Sequence, residues 1–349
     1  MQCKKKLSLV VAVISLSCAQ AAHAGAITVY SALEEDEIAA YLKAANAAMS
    51  DVKVNVLRLS TGDLGARLIA EAGNPQQDVI WGFAVSNMLD PRLQKLLEPY
   101  AAKGIDALPA QYKAADNKWF AATGYVAAFC VNTDRLKSKN LPMPTSWEDL
   151  AKPVYKGEIV IPSPAASGTG YLQIVALLQG LGAEKGWAYL KDLDKNVAQY
   201  TPSGSRPCKM ARAGEYAIGV SFAFPAMQSI EEGFPVKMVI PSKWVGYELE
   251  ASGLMKTAKN PTDAKRFLDW TLSAQAGGLY SKYKELVTIP GAAPNKAAEA
   301  AGLPKDLTAV LYPVDFQKSA AERDATIKTW QDTCLLYTSD AADDTPCVD

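Results

Sequence analysis

Short apolar runs alternate with amphipathic helical stretches through most of the chain, and this order limits the fold more than any other feature. Residues 27–31 read as a strand, 34–49 as a helix, and 52–59 as a strand with Val52, Val54 and Val56 alternating. A helix through Ala72 and an apolar strand at 78–81, bounded by Asn74-Pro75, follow. The middle repeats the grammar: strands at 157–161, 197–200 and 216–222, with helices at 170–180, 187–193 and from Pro207; a last helix is read at 263–272. Strand–helix alternation with nearly continuous apolar strands predicts an α/β fold, each unit a mainly parallel sheet flanked by helices. The 349 residues have room for two such units. Residues 125–131 and 246–254 are the candidate crossings, giving expected lobes of 25–127 plus 247–333 and of 128–246.

The two ends read differently. Lys4, Lys5 and Lys6, the apolar stretch 7–16 and the small-x-small site Ala22-His23-Ala24 form a secretory signal pattern over 1–24. The apolar stretch is about half of the ~20 residues that span a bilayer, so export with cleavage is expected rather than a retained anchor. Residues 334–349, which begin Cys334-Leu335-Leu336-Tyr337-Thr338-Ser339, resemble the in-frame translation of a sequencing-library adapter and are set aside as foreign to the fold. Without both ends the acidic and basic residues balance, which speaks against a nucleic-acid partner. The only histidine, His23, falls in the signal, so His-dependent triads, most zinc chemistry and His-gated switching are excluded. Cys130 and Cys208 remain; in an exported chain they allow one disulfide, with two buried thiols as the alternative.

Three places share one design, a strand, a hydroxyl–glycine turn and then a helix: Ser60-Thr61-Gly62, Ser167-Gly168-Thr169 and Ser203-Gly204-Ser205. A helix start presents unpaired N–H groups and the positive end of the helix dipole, glycine lets the backbone come close, and hydroxyls add donors. Each turn alone is explained as an ordinary N-cap. Three turns of the same chemistry on one cleft would hold a tetrahedral oxyanion without many cationic side chains. No turn carries a P-loop lysine, there is no G-x-S-x-G elbow, and no histidine could activate a serine or cysteine, so binding without turnover is expected. A second group is acidic and aromatic. Glu34, with Glu35, Asp36 and Glu37, opens a helix, where carboxylates also favour the dipole. Tyr30, Trp81, Tyr247 and Glu250 flank presumed strand ends, where ligands sit in open α/β sheets. A carboxylate with aromatic faces suits an ammonium group, with core packing as the plain alternative for Trp81.

These residues resemble the periplasmic solute-binding proteins of ABC importers, of the ferric-iron/sugar-phosphate-like type, and most of all their 2-aminoethylphosphonate-binding members. The likeness runs over about 27–332. It rests on Val29-Tyr30-Ser31-Ala32-Leu33-Glu34, Asn74-Pro75-Gln76-Gln77-Asp78-Val79-Ile80-Trp81-Gly82, Pro144-Thr145-Ser146-Trp147-Glu148-Asp149-Leu150 and Ser203-Gly204-Ser205-Arg206-Pro207-Cys208, besides the turns at 60–62 and 167–170. It implies the type II two-lobed fold with a ligand cleft between the lobes, hinge closure, and delivery to an inner-membrane permease with a cytoplasmic ATPase. A periplasmic monomer with no cofactor and no metal is implied. The three turns would hold the phosphonate, with Tyr30, Glu34, Trp81, Tyr247 and Glu250 as weaker candidates for the ammonium end. The iron-binding branch uses adjacent tyrosines, and no Tyr-Tyr pair occurs here. A sugar phosphate or another phosphoester is the alternative ligand, and an exported phosphoester hydrolase the remoter one.

Overall fold

In the computed structural model the described residues are 25–334, apart from 294 and 305. The expected signal over 1–24 and residues 335–349 lie outside the described residues. Three parallel strands open the fold: β1 (Gly25–Ser31) lies between β2 (Val52–Arg58) and β3 (Val79–Ala84). Asp78 fixes this edge. One carboxylate oxygen accepts the N–H of Thr28 at 2.7 Å and the other that of Lys259 at 2.6 Å. The short β4 (Leu97–Glu98) and the long β5 (Phe120–Asn132) follow. Next come β6 (Ile159–Pro162), β7 (Val197–Thr201), β8 (Ile218–Phe222), β9 (Val236–Val239), β10 (Tyr247–Met255) and β11 (Leu286–Val287). The strand order is β2-β1-β3-β10-β5-β8-β6-β7.

The mainly parallel sheet expected from the alternation holds only at the two flanks, β2-β1-β3 and β8-β6-β7. The centre is antiparallel, because β10 runs against β3 and β5, and β5 against β8 and β9. β5 joins the two halves. Its residues up to Val126 pair with β10, and from Ala127 onward they pair with β8. All thirteen of its residues are buried, which its small side chains Ala121, Ala122, Gly124, Ala127 and Ala128 permit by letting both faces be covered closely.

One apolar cluster packs Val29, Tyr41, Trp81, Phe120 and Phe267 between β1, β3 and the helices Glu35–Ala48 and Pro261–Thr271. A second gathers Phe129, Trp147, Ile159, Ile174, Leu190 and Ile218 on the other half of β5. The Pro-Thr-Ser-Trp block is structural here. Ser146 and Asp149 make a reciprocal N-cap around Trp147, whose indole N–H donates to the carbonyl of Trp244 at 3.3 Å. The C-terminal segment departs from expectation. Residues 247–333 are expected in the first lobe, yet Trp330 joins the second cluster and meets Tyr200 edge-on, 5.1 Å between centroids. Helix Phe316–Ala321 touches both sides: Phe316 packs on Tyr247 of β10, and the carbonyl of Ser319 accepts the Tyr171 hydroxyl at 2.5 Å. Cys334, set aside with the tail, is instead buried at the end of helix Arg323–Cys334.

Cys130 of β5 and Cys208 of helix Arg206–Arg212 are joined by a disulfide, with Cα atoms 5.2 Å apart. It closes a long loop, 78 positions in sequence, so it restricts the unfolded chain strongly. The double substitution Cys130→Ala with Cys208→Ala should lower the unfolding free energy by about 2–5 kcal/mol in urea titration, with far-ultraviolet dichroism unchanged. Equal stability of the two forms would show that the bridge constrains little.

Candidate functional site

A narrow cleft lies where the strand-to-helix turns of both halves meet over β5 and β10. Ser60 and Thr61 enter it from the end of β2, where helix Thr61–Ala70 begins. Ser167, Gly168 and Thr169 enter from the start of helix Gly168–Leu181, and Gly204 from the turn after β7. The ordinary capping role holds for Ser167, whose hydroxyl accepts the Gly170 N–H at 3.4 Å. It does not hold for Ser60 or Ser205, neither of which caps its helix with its side chain. The Ser205 hydroxyl donates instead to Glu34 at 3.0 Å and lies 3.1 Å from that of Ser203.

Two of the glycines are required by close approach. A Cβ on Gly168 would stand 2.7 Å from the Thr61 hydroxyl and 2.9 Å from that of Tyr125, and a Cβ on Gly204 would overlap the Thr169 side chain. The turns therefore interlock, and the N–H of Gly62 donates to the carbonyl of Ala166 at 2.8 Å across the cleft.

The charged groups come in pairs. Glu34 accepts from Arg58 at 3.3 Å through one oxygen and from Ser205 through the other, while Arg58 also donates to the carbonyl of Leu33 at 3.0 Å. Deeper in the wall, the ammonium of Lys284 sits 2.7 Å from Glu250 and 2.8 Å from Glu37. The other oxygen of Glu250 accepts from Thr123 at 2.6 Å. Lys284 and Glu37 are almost wholly removed from water, at 2% and 0% side-chain exposure. Burial raises the Glu37 carboxyl, opposed by Lys284. Burial works against the Lys284 charge, but Glu250 and Glu37 outweigh it and keep the ammonium protonated. The Tyr125 hydroxyl on the cleft wall is also raised by burial and by the nearby Glu248 and Glu250.

Of the expected residues, Glu34, Ser60, Thr61, Ser167, Gly168, Thr169, Gly204 and Glu250 line the cleft; Gly62, Ser203 and Ser205 stand just behind it. Three aromatic candidates are elsewhere. Tyr30 is buried against the second helix with its hydroxyl on Glu71 at 2.9 Å, and Trp81 packs among Tyr41 and Phe267 in the core. Tyr247 packs on Phe316. Tyr30 and Trp81 lie within their strands on opposite, covered faces of the sheet and enter separate buried clusters, whereas the cleft is built largely from the turns beyond the strand ends. The sequence reading missed Arg58, Tyr125 and Lys284, all on the wall. Lys284 follows helix Ala274–Tyr280 in the run Tyr283-Lys284-Glu285-Leu286-Val287, and its apolar neighbours were the only local hint of burial.

Comparison with known proteins gives a consistent group. Residues 75–319 match the family described as bacterial extracellular solute-binding protein. A Haemophilus influenzae protein of uncharacterized role is 33% identical over 80% of this chain and 82% of its own length. A probable ABC transporter periplasmic-binding protein, y4fP of Sinorhizobium fredii, is 28% identical over 92% of this chain and 90% of its own. Among solved structures, the periplasmic binding protein AfuA from Actinobacillus pleuropneumoniae, with exogenous fructose 6-phosphate bound, superposes with a TM-score of 0.82. It is 32% identical, over 89% of this chain and 99% of AfuA.

Two further carboxyls bear on stability around the site. Burial pushes Glu248, which accepts from Ser86 at 2.5 Å, up to about 7. Burial, partly offset by Lys284, pushes Glu285 up to about 8. Unfolded, both would ionise near the ordinary value of about 4.3. Above that value the unfolded chain releases protons that the folded chain still holds, so stability falls as pH rises until the folded groups ionise near 7 and 8. Urea titrations should therefore give a lower unfolding free energy at pH ~8 than at pH ~5, and Glu248→Gln and Glu285→Gln should each flatten the slope. A profile that rises over this range would contradict the buried, protonated state of these carboxyls.

Proposed function

The chain belongs to the bacterial extracellular solute-binding proteins, and we propose that it is the periplasmic component of an ABC importer that captures 2-aminoethylphosphonate by lobe closure. It hands the solute to an inner-membrane permease served by a cytoplasmic ATPase, a role in keeping with the similarity to y4fP. As a binding protein it captures its solute without transforming it. The observation that carries the ligand reading is the pairing, in one cleft, of interlocked hydroxyl–glycine turns with Glu34, a partly exposed carboxylate on the cleft wall.

On this reading the phosphonate is held by Ser60, Thr61, Ser167, Gly168, Thr169 and Gly204 on the cleft wall, with Gly62, Ser203 and Ser205 completing the three turns behind them. Oxyanions gain from hydroxyl and backbone donors fixed in place before binding. The ammonium meets Glu34, whose side chain is 18% exposed. Glu250 ranks behind it, because it is buried and already paired with the buried ammonium of Lys284. The two lobes pivot where β5 passes from β10 to β8, at 126–127, and where the chain enters β10 at 246–247. Ligand binding shifts the open–closed equilibrium by its preference for the closed arrangement. A sugar phosphate is the second reading. It is favoured by the 32% identity with AfuA, whose structure holds fructose 6-phosphate, and it would keep the same turns for the phosphate.

Calorimetric titration of residues 25–334 with 2-aminoethylphosphonate, inorganic phosphate and fructose 6-phosphate separates the readings. One-to-one binding of the phosphonate alone is expected; binding of the sugar phosphate alone would move the assignment to the second reading, and silence with all three would sink both. Thr169→Ala and Ser205→Ala should each weaken phosphonate binding by roughly 1–3 kcal/mol, the scale of hydrogen bonds to a charged group. Glu34→Gln should remove the preference for 2-aminoethylphosphonate over ethylphosphonate; if Glu250→Gln alone does so, the ammonium partner is Glu250.

A further inference from the structure

Lys284 is the one cleft-lining residue that is charged, wholly buried and held from two sides by charge. Its ammonium has three donors. One goes to Glu250 and one faces Glu37, and the third has no acceptor among the described residues. Glu37 lies behind it, outside the cleft, with its second oxygen buried and unpartnered. The two carboxylates come from the first helix and from β10, far apart in sequence, and without Lys284 only the Thr123 hydroxyl would remain to compensate them. A buried pair of carboxylates beside a cleft is a ready receptor for an amine.

We infer that Lys284 sets the charge class of the solute: wedged between Glu37 and Glu250, it offers its third N–H to a phosphoryl oxygen and fills the acidic niche that would otherwise take the ammonium of a ligand. It acts as a resident counter-ion, which attracts the anionic end and excludes plain cations from the rear of the cleft. The ligand amine is then left to Glu34 at the front. This inference rests on the reading of the cleft as a phosphoryl site, and it applies equally to a phosphonate and to a sugar phosphate because both present the same oxygens. Deleting one member of a buried charge group leaves the others uncompensated, so the effect on ligand choice should be large and signed.

The test is calorimetry on the wild-type chain, on Lys284→Met and on the triple variant Glu37→Gln/Lys284→Met/Glu250→Gln, with 2-aminoethylphosphonate, ethylphosphonate and fructose 6-phosphate as probes. Lys284→Met should lose roughly tenfold or more in affinity for ethylphosphonate or fructose 6-phosphate, whichever the wild type binds. It should retain 2-aminoethylphosphonate better, so that the amine-to-deaminated affinity ratio rises. The triple variant has no unpaired charge and guards against failure of the single variant to fold; it should show the same loss for anions with no rise in that ratio. Equal weakening of all probes by Lys284→Met alongside a lowered melting temperature would mark Lys284 as structural support only and overturn the inference, as would wild-type affinities in the triple variant. Silence of the wild type toward every probe would overturn the inference together with the reading beneath it, whereas wild-type binding with an unmoved Lys284→Met overturns the inference alone.

Discussion

A single strand carries the backbone ladders of both halves of the molecule. β5 gives its first half to β10 and β11 and its second half to β8 and β9, with no loop between. Every other placement follows from that sharing. Both faces of the strand must be covered, so its side chains are small and its neighbours approach closely; at Gly124 a Cβ would stand 2.6 Å from the carbonyl of Glu248 on β10. The turns that form the cleft follow β2, β6 and β7 on the two parallel flanks of the sheet, and β5, as one continuous strand, joins those flanks. Thr123 and Tyr125 on β5 then supply part of the cleft floor, one through Glu250 and one directly.

Burial decides how the charges of the cleft behave. A chain whose acidic and basic residues nearly balance has no long-range field with which to gather anions, so selectivity must come from local arrangement. Glu34 with Arg58 is partly solvated, screened and adjustable, while Glu37, Lys284 and Glu250 are not. Taking that inner group out of water is costly; close geometry and Thr123 on the second oxygen of Glu250 offset part of the cost, while the second oxygen of Glu37 stays unpartnered. Such a group is a poor device for stability and a good one for specificity, since it resists rearrangement when a wrong solute enters.

The alternation of strands and helices was legible because periodicity is local, and the hydroxyl–glycine turns were legible because each is three residues long. Glu34 could be read beside its turn-bearing neighbours, and Cys130 and Cys208 by elimination. What stayed hidden was long-range. The antiparallel run of β10 against β3 cannot be told from a parallel one by its apolar pattern, since a strand buried on both faces has no alternation to read. Trp81 looked like a cleft residue because it stands in a block beside a strand end; its φ-positive neighbour Gly82, against which Leu33 packs, turns toward the cleft while the indole goes to the core. Lys284 meets Glu37 across 247 positions of sequence, a juxtaposition that only the fold supplies. Trp330 crosses to the second cluster because its helix follows a segment that touches both halves, which composition does not encode.

The interlocking of the turns bears on how closure is controlled. Two direct bonds link the turns across the cleft, Gly62 to Ala166 and Ser205 to Glu34. Each is worth a net of about 1 kcal/mol, or somewhat more where the carboxylate takes part, because water satisfies the same groups when the cleft is open. On the proposed reading these bonds define the docking register but hold the closed form only weakly. A phosphoryl group would add several charge-assisted bonds at once, to hydroxyls already fixed by their neighbours, so its differential affinity exceeds what the protein spends on its own contacts. On that reading, the same glycines that let the turns approach keep the gap narrow enough for one small oxyanion to bridge both sides. A side chain at Gly168 would meet Thr61 and prop the cleft open before any ligand arrived, whereas one at Gly204 would displace Thr169 within the same half.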